Sequence, residues 1–332
     1  MNPIKPRISA VFLVLLALNA PVRSEDFSQR ICLISEGYGK NLVALRNEQG
    51  EILWKQKVRN GQHDLHMLDN GNILMQDGWR NILEITLDKK VVWSYNAGVM
   101  NGNKGKRVEV HAFLRLPDGN TMIAESGPKR LIEVNAKGEI QKEIPLTVER
   151  PHHHRDTRLV RRLENGNYLV CHEADGKVRE YDDTGKVVWD YHVRSKVYGA
   201  IGLKNGNILI ASGGGNSVIE VNKADRKVVW EIKGTIPGTD KAMKWMTTLI
   251  ERDNGNLIIG NCHAGKNSPQ MFEITRDKKL VWDMHDWTHF GNGVASNDVL
   301  TDEQAELVRA KLKDIPEDVR VNDRLIDAEL LK

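Results

Sequence analysis

Eleven histidines punctuate this 332-residue chain, and their positions are the first hint of chemistry. His63 stands in "GQHDLHMLDNGNIL" (Gly61–Leu74), five residues before Leu68. His111 stands five residues before Leu116, and the same count back from Leu163 reaches Arg158. His152, His153 and His154 form the run "RPHHHRD", and His285 and His289 lie in "MHDWTHFGNG". His172 closes "YLVCH" and His263 sits in "NCHAG". The acids Asp77, Glu125 and Glu173 and the arginines Arg80 and Arg130 accompany them. Imidazole, carboxylate and guanidinium together are the inventory of a metal centre or a general acid–base site. His63, His111 and Arg158 are the candidate catalytic residues. His152, His153, His154, His172, His263, His289, Arg80, Arg130 and Glu173 are candidate ligand contacts, and His111, His154, His172 and His263 candidate ligands of a divalent metal. No run has the fixed spacing of a zinc motif such as HExxH. Only convergence in space can make a site of them.

The scaffold that would converge them is written as a repeat. "LDNGNIL" (Leu68–Leu74) recurs as "LPDGNTM", "LENGNYL", "LKNGNIL" and "RDNGNLI". The marker glycines Gly71, Gly119, Gly166, Gly206 and Gly255 are 48, 47, 40 and 49 residues apart. Asn-Gly or Asp-Gly between apolar runs signals a hairpin, with positive φ expected at both central residues. Late in each unit comes a second marker: "GEILW", "KKVVW", "GKVVW", "RKVVW" and "KKLVW", ending at Trp54, Trp93, Trp189, Trp230 and Trp282. One unit departs, with Lys142 in the tryptophan position. Between the markers lies a short alternating strand such as "ILEI" or "LIEV".

Four strands per unit, repeated at this period, describe an all-β, six-bladed β-propeller. Five units carry the turn. The sixth blade is assembled from three N-terminal strands ("ICLISE", "NLVALRN", "EILWKQKV") and a C-terminal strand in "NGVASNDVL" (Asn292–Leu300). "TDEQAELVRAKLKDI" (Thr301–Ile315) reads as a short C-terminal helix, opened by a Thr301/Gln304 capping box and ended by Pro316. In such a ring the turn glycines lie on one face and nearly all the histidines reach the opposite mouth of the channel. The tryptophans, sharing one repeat position, are blade-to-blade packing.

The chain divides into a secretory signal peptide (1–24), the propeller (25–300) and a helical extension (301–332). Lys5 and Arg7 precede the apolar stretch Ile8–Ala20, too short for a comfortable membrane span, and the mature chain is expected to begin near Glu25. An exported protein, periplasmic or extracellular, is the expectation, with no membrane span in the mature chain. The signal segment carries Lys5, Arg7 and Arg23 and no acid, so its removal takes the formal net charge from +3 to zero. Nothing then marks a nucleic-acid surface. Cys32, Cys171 and Cys262 allow one disulfide or none, and Cys171 is remote from the other two in the ring.

The "TGKVVW" and "DKKLVW" strands resemble those of the quinoprotein-like (PQQ-like) propellers, over roughly residues 25–300. The dehydrogenases of that superfamily have eight blades, about twice the length and an adjacent cysteine pair absent here. The resemblance therefore implies the fold, and pyrroloquinoline quinone is not expected as a cofactor. "HDLHMLDNGNIL" also resembles a segment of the bacterial arylsulfotransferases, which are longer and carry an N-terminal β-domain. That likeness implies sulfuryl transfer through His63, with Arg158 or Arg80 holding the sulfate. The expected ligand is a small polar, anionic or carbohydrate molecule bound at the channel mouth, with binding alone and transformation there both left open. The alternatives are sulfuryl transfer and a metal-dependent lyase or hydrolase acting on sugars.

Overall fold

The computed structural model describes residues 29–327 and Glu329; the predicted signal segment lies outside them. Six sheets, each built on four antiparallel strands, radiate around one axis. Blade 1 has the order β24 (Val294–Val299), β1 (Ile31–Glu36), β2 (Leu42–Asn47), β3 (Ile52–Lys57), β25 (Val321–Leu325). Blades 2 to 6 take four consecutive strands each. They run β4 (Leu65–Met67) to β7 (Val91–Asn96), β8 (Glu109–Arg115) to β11 (Ile140–Pro145), and β12 (Val160–Arg162) to β15 (Val187–His192). The last two are β16 (Gly199–Gly202) to β19 (Val228–Lys233) and β20 (Trp245–Glu251) to β23 (Leu280–Met284). The expected closure is present, because β24 pairs with β1 from Cys32 opposite Val299 to Glu36 opposite Val294. The fifth strand, β25, was not expected. It runs parallel to β3 and covers that edge.

Both sequence markers do structural work. In each NGN turn only the glycine takes positive φ (+76° at Gly71, +83° at Gly206), and the preceding asparagine does not, which corrects the expectation of two such residues. In four of the five turns the closing asparagine instead donates to the glutamate of the third strand: Asn72 to Glu84 at 2.7 Å, Asn167 to Glu180 at 2.8 Å, Asn207 to Glu220 at 2.6 Å, Asn256 to Glu273 at 2.7 Å; in blade 3 Asn120 donates to Asp118 within the turn at 3.0 Å. Turn and "xEV" strand are therefore one polar unit.

In "KVVW" the second valine is a bulge. Val91 pairs with Ile85 and Trp93 with Glu84, so Val92 is left over and exposed. The bulge aims the tryptophan at the next blade. Its indole N–H donates to a carbonyl there: Trp54 to Leu87, Trp189 to Lys223 and Trp230 to Arg276, each at 2.9 Å. Trp282 completes the circle by donating to the Glu48 carboxylate of blade 1 at 2.8 Å. The structural reading of the tryptophans holds. In blade 3, where Lys142 replaces the ring, Gly185 of the next blade packs directly on Pro145.

Helix α1 (Asp302–Lys313) carries both halves of the Thr301/Gln304 capping box. Its Ala305, Val308 and Leu312 join the core between blades 1 and 2. The three cysteines are buried and free, so the open choice resolves to no disulfide. No helix among the described residues is long and apolar enough to cross a membrane.

Candidate functional site

At the mouth opposite the NGN turns, the inner strands and the loops before them converge on a cluster of rings. His63 and His111, at their shared repeat position, lie with ring centroids 4.5 Å apart, and His154 is 5.3 Å from His111. Trp79, after β5 (Ile73–Asp77), packs 5.2 Å from His63 and 5.3 Å from His154.

His111 is placed by a bulge. Val110 pairs with Glu125 and Ala112 with Ala124, leaving His111 unopposed and turned toward the axis. Its Nδ1 lies 2.7 Å from the Thr157 carbonyl. A carbonyl only accepts, so Nδ1 carries the proton and the Nε2 lone pair faces Glu109 Oε2 at 3.1 Å. His154 Nδ1 reaches the same oxygen at 2.6 Å. The three ligand atoms of Glu109, His111 and His154 all lie within 4.8 Å of one another. Burial, then the neighbouring Arg158, push the His111 pKa down to about 4, which keeps the imidazole neutral.

His154 is delivered by the "HHHRD" turn. Asp156 clamps that turn, accepting from the His152 amide at 2.5 Å and the Gly127 amide at 3.1 Å. His152 and His153 stack at 5.1 Å, and His153 Nε2 is 3.7 Å from Glu109 Oε1.

His63 is 1% exposed and held between two phenols, with Tyr38 Oη 3.3 Å from Nε2 and Tyr198 Oη 3.0 Å from Nδ1. Burial, with His111 and Arg158 nearby, holds its pKa well below the usual imidazole range. Arg158 is equally buried and locked to Glu173, its Nε 2.6 Å from Oε2. Its Nη1 is 3.2 and 3.3 Å from the two nitrogens of His111, which places the cation over that ring.

The remaining candidates separate from this core. His172 spends both nitrogens inside blade 4, on the Asp156 carbonyl (2.7 Å) and the Tyr181 hydroxyl (2.9 Å). His263 packs edge-on to Tyr38 at 5.7 Å and lines a second cleft with Glu36, Lys40 and Asn292. His289 pairs with Asp286 at 2.9 Å. Arg130 is tied to Glu125 and Glu143, each at 2.7 Å. Of the four candidate metal ligands, then, the fold brings together His111 and His154 and leaves His172 and His263 elsewhere.

Glu109, Tyr38, Trp79 and Tyr198 were not foreseen. Glu109 had a readable signal: in "VEVHAF" it precedes His111 by two on an inner strand, the spacing that shares a strand face. The aromatic residues had none, being single residues in loops of different blades.

A cleft of about 470 Å³ opens beside the triad, lined by Arg59, Asp77, Trp79, Arg80, Arg107, Glu109 and His153 among others. Glu109, His153 and His154 are partly accessible, their side chains 18%, 38% and 33% exposed. Solvent therefore reaches the triad from this side.

The family model described as outer membrane protein assembly factor BamB, a PQQ-like repeat, matches residues 18–165 and again 155–268. The chain belongs to this family of PQQ-like propellers. No curated protein sequence gives a significant match. Among solved structures, a protein of unknown function from Bacteroides caccae superposes with TM-score 0.71 at 25% identity, over 82% of this chain and 99% of that one. A catalytically inactive histidine-to-alanine variant of virginiamycin B lyase from Staphylococcus aureus, with quinupristin, gives TM-score 0.54 at 12% identity, over 79% and 87%. The latter likeness is one of fold alone. The family match speaks to the PQQ-like repeat and not to the arylsulfotransferase likeness.

Proposed function

We propose that this exported propeller holds a divalent cation at Glu109, His111 and His154 and there binds and transforms a small polar or anionic molecule. The observation that carries this reading is the facing of acceptors. The Thr157 carbonyl fixes the His111 proton on Nδ1, so the Nε2 lone pair and the Glu109 carboxylate look at each other across 3.1 Å. Two acceptors at that separation repel unless a proton or a metal ion stands between them, and His154 Nδ1, 2.6 Å from the same carboxylate oxygen, completes a set of three ligand atoms for a metal ion. One carboxylate oxygen and two imidazole nitrogens suit zinc, manganese or iron, and three protein ligands leave positions for water and ligand.

Such an ion acidifies a bound water, or a proton next to a carboxylate that it coordinates. The neutral His63, bonded to Tyr38 and Tyr198, is placed to pass a proton through a phenol. The reaction class this favours is elimination or hydrolysis. Sulfuryl transfer through His63 fits less well, since that route needs a ring nitrogen open to the donor and both are engaged. A scaffold role, as in the assembly factor that names the family, is the second reading, and the family match favours it.

Thermal unfolding of the chelated protein with and without added Mn²⁺ or Zn²⁺ tests the proposal. An ion at one hundred times its Kd stabilises by about 2.7 kcal/mol, a rise in Tm of several degrees. Glu109→Gln should abolish that rise. An unchanged Tm with every ion, in a protein whose histidine variants behave as wild type, would leave the scaffold reading.

A further inference from the structure

The cleft beside the triad has a charge pattern of its own. Arg59 is spent: it is paired with Asp77, which also accepts its backbone amide at 2.6 Å. Arg80 and Arg107, by contrast, are exposed and have no ion-pair partner among the described residues. Both line the same cleft as Glu109 and His153, so two uncommitted guanidinium groups border the route to the triad. Their backbones are fixed. Arg107 closes a loop in which the buried Asn103 donates to Glu125 at 2.8 Å, and its carbonyl would lie 2.1 Å from any Cβ placed on Gly127. Arg80 opens β6 (Asn81–Ile85), and its own carbonyl accepts from Ala97 at 2.9 Å. Between them Trp79 forms a wall, lying so flat on the backbone that a Cβ at Gly61, whose φ is +97°, would come within 2.5 Å of the indole.

Resting on the cation reading above, we infer that the cleft between blades 2 and 3 is the subsite for an oxyanion group of the ligand, held by Arg80 and Arg107 against Trp79. The guanidinium fork matches the planar or tetrahedral oxygens of a carboxylate, sulfate or phosphate. A ligand bound there by its oxyanion would present its remaining atoms to Glu109 and the cation. The chemical class is a compact molecule with one oxyanion and a neutral polar or ring portion, of which an acidic sugar is an example.

Calorimetric titration of the full mature protein with sodium sulfate, inorganic phosphate and glucuronate tests the assignment and separates the three sources. At least one probe should bind saturably. Arg80→Ala and Arg107→Ala should each weaken it roughly tenfold, as expected for losing one charge-assisted contact. Arg162→Ala, an exposed arginine near the NGN face, should leave it unchanged. Arginine-dependent anion binding that survives in Glu109→Gln, with cation binding lost, separates the two sites and supports this one. Anion binding with no cation binding to the wild type would sink the cation reading and keep the subsite. No saturable binding of any probe, or binding indifferent to both arginines, would overturn it.

Discussion

Asp64→Asn is the perturbation that probes how the ring is tied across its axis. Asp64 opens the inner strand of blade 2 and is fully buried. Arg161, on the inner strand of blade 4, grips it with both Nη atoms, each 2.9 Å from its own carboxylate oxygen. The Phe113 amide of blade 3 adds a third donor at 3.3 Å. Burial alone would raise the carboxyl pKa, but Arg161 and then His66 outweigh it and bring the value down to about 2. Set against an ordinary aspartate, nearly two units correspond to about 2 kcal/mol of favourable field at neutral pH. Breaking a buried pair on one side costs about 3–5 kcal/mol; Arg161 keeps some access to solvent, so the lower end applies, about 3 kcal/mol.

Urea unfolding at pH 7 should show that loss, and calorimetry a Tm lower by about 6 °C. The sign with pH follows from the depressed pKa. The stabilisation is complete above pH 4 and fades as pH falls through about 2, so wild type and variant should converge in acid. Asp64→Asn/Arg161→Met should recover at least 1 kcal/mol relative to the sum of the single changes. A single-variant cost below 1 kcal/mol, or strict additivity, would refute the cross-axis tie.

Further expectations follow from the same contacts. His172, buried with its pKa pushed down to about 4 by burial and then Arg179, must stay neutral in the fold; its own share of the stability lost between pH 6.5 and 4 is about 3 kcal/mol, on top of what the buried His63 and His111 lose, and His172→Gln should reduce the slope by that share in urea titrations. Trp54→Phe, which loses the bond to the Leu87 carbonyl and part of a buried ring and weakens the contact of Lys89 Nζ with the ring face, should cost about 2 kcal/mol by chemical denaturation. Truncation after Leu300 removes Ala305, Val308, Leu312 and Ile326 from the blade 1–2 core and should cost roughly 4 kcal/mol, read as a lower urea midpoint. The three thiols, buried and unpaired, should resist a thiol reagent in the native state and all react in denaturant.

The fold was legible because its signals repeat. A glycine turn and an outer-strand tryptophan at a fixed period need only backbone sterics and blade packing to be decoded, and the complementary chain ends gave the closure. The strand β25 escaped because "VNDRL" lacks alternation and gains its place by covering the β3 edge. The site was legible in part, for the converse reason. His63, His111 and Arg158 share a repeat position, so geometry carried them to one place. His154 came with them only because Asp156 folds the loop back, which no periodicity encodes. His172 reads like the others by position but finds a carbonyl and a phenol within its own blade. Glu109 is marked only by its two-residue spacing from His111 on an inner strand.

The most direct test of the account is the metal content of the mature protein, purified without a metal-affinity tag, set beside that of Glu109→Gln and His154→Gln. The account predicts close to one divalent ion per wild-type chain and far less in each variant, with native circular dichroism retained. A folded wild type that stays metal-free after dialysis against zinc, manganese and iron salts would contradict it.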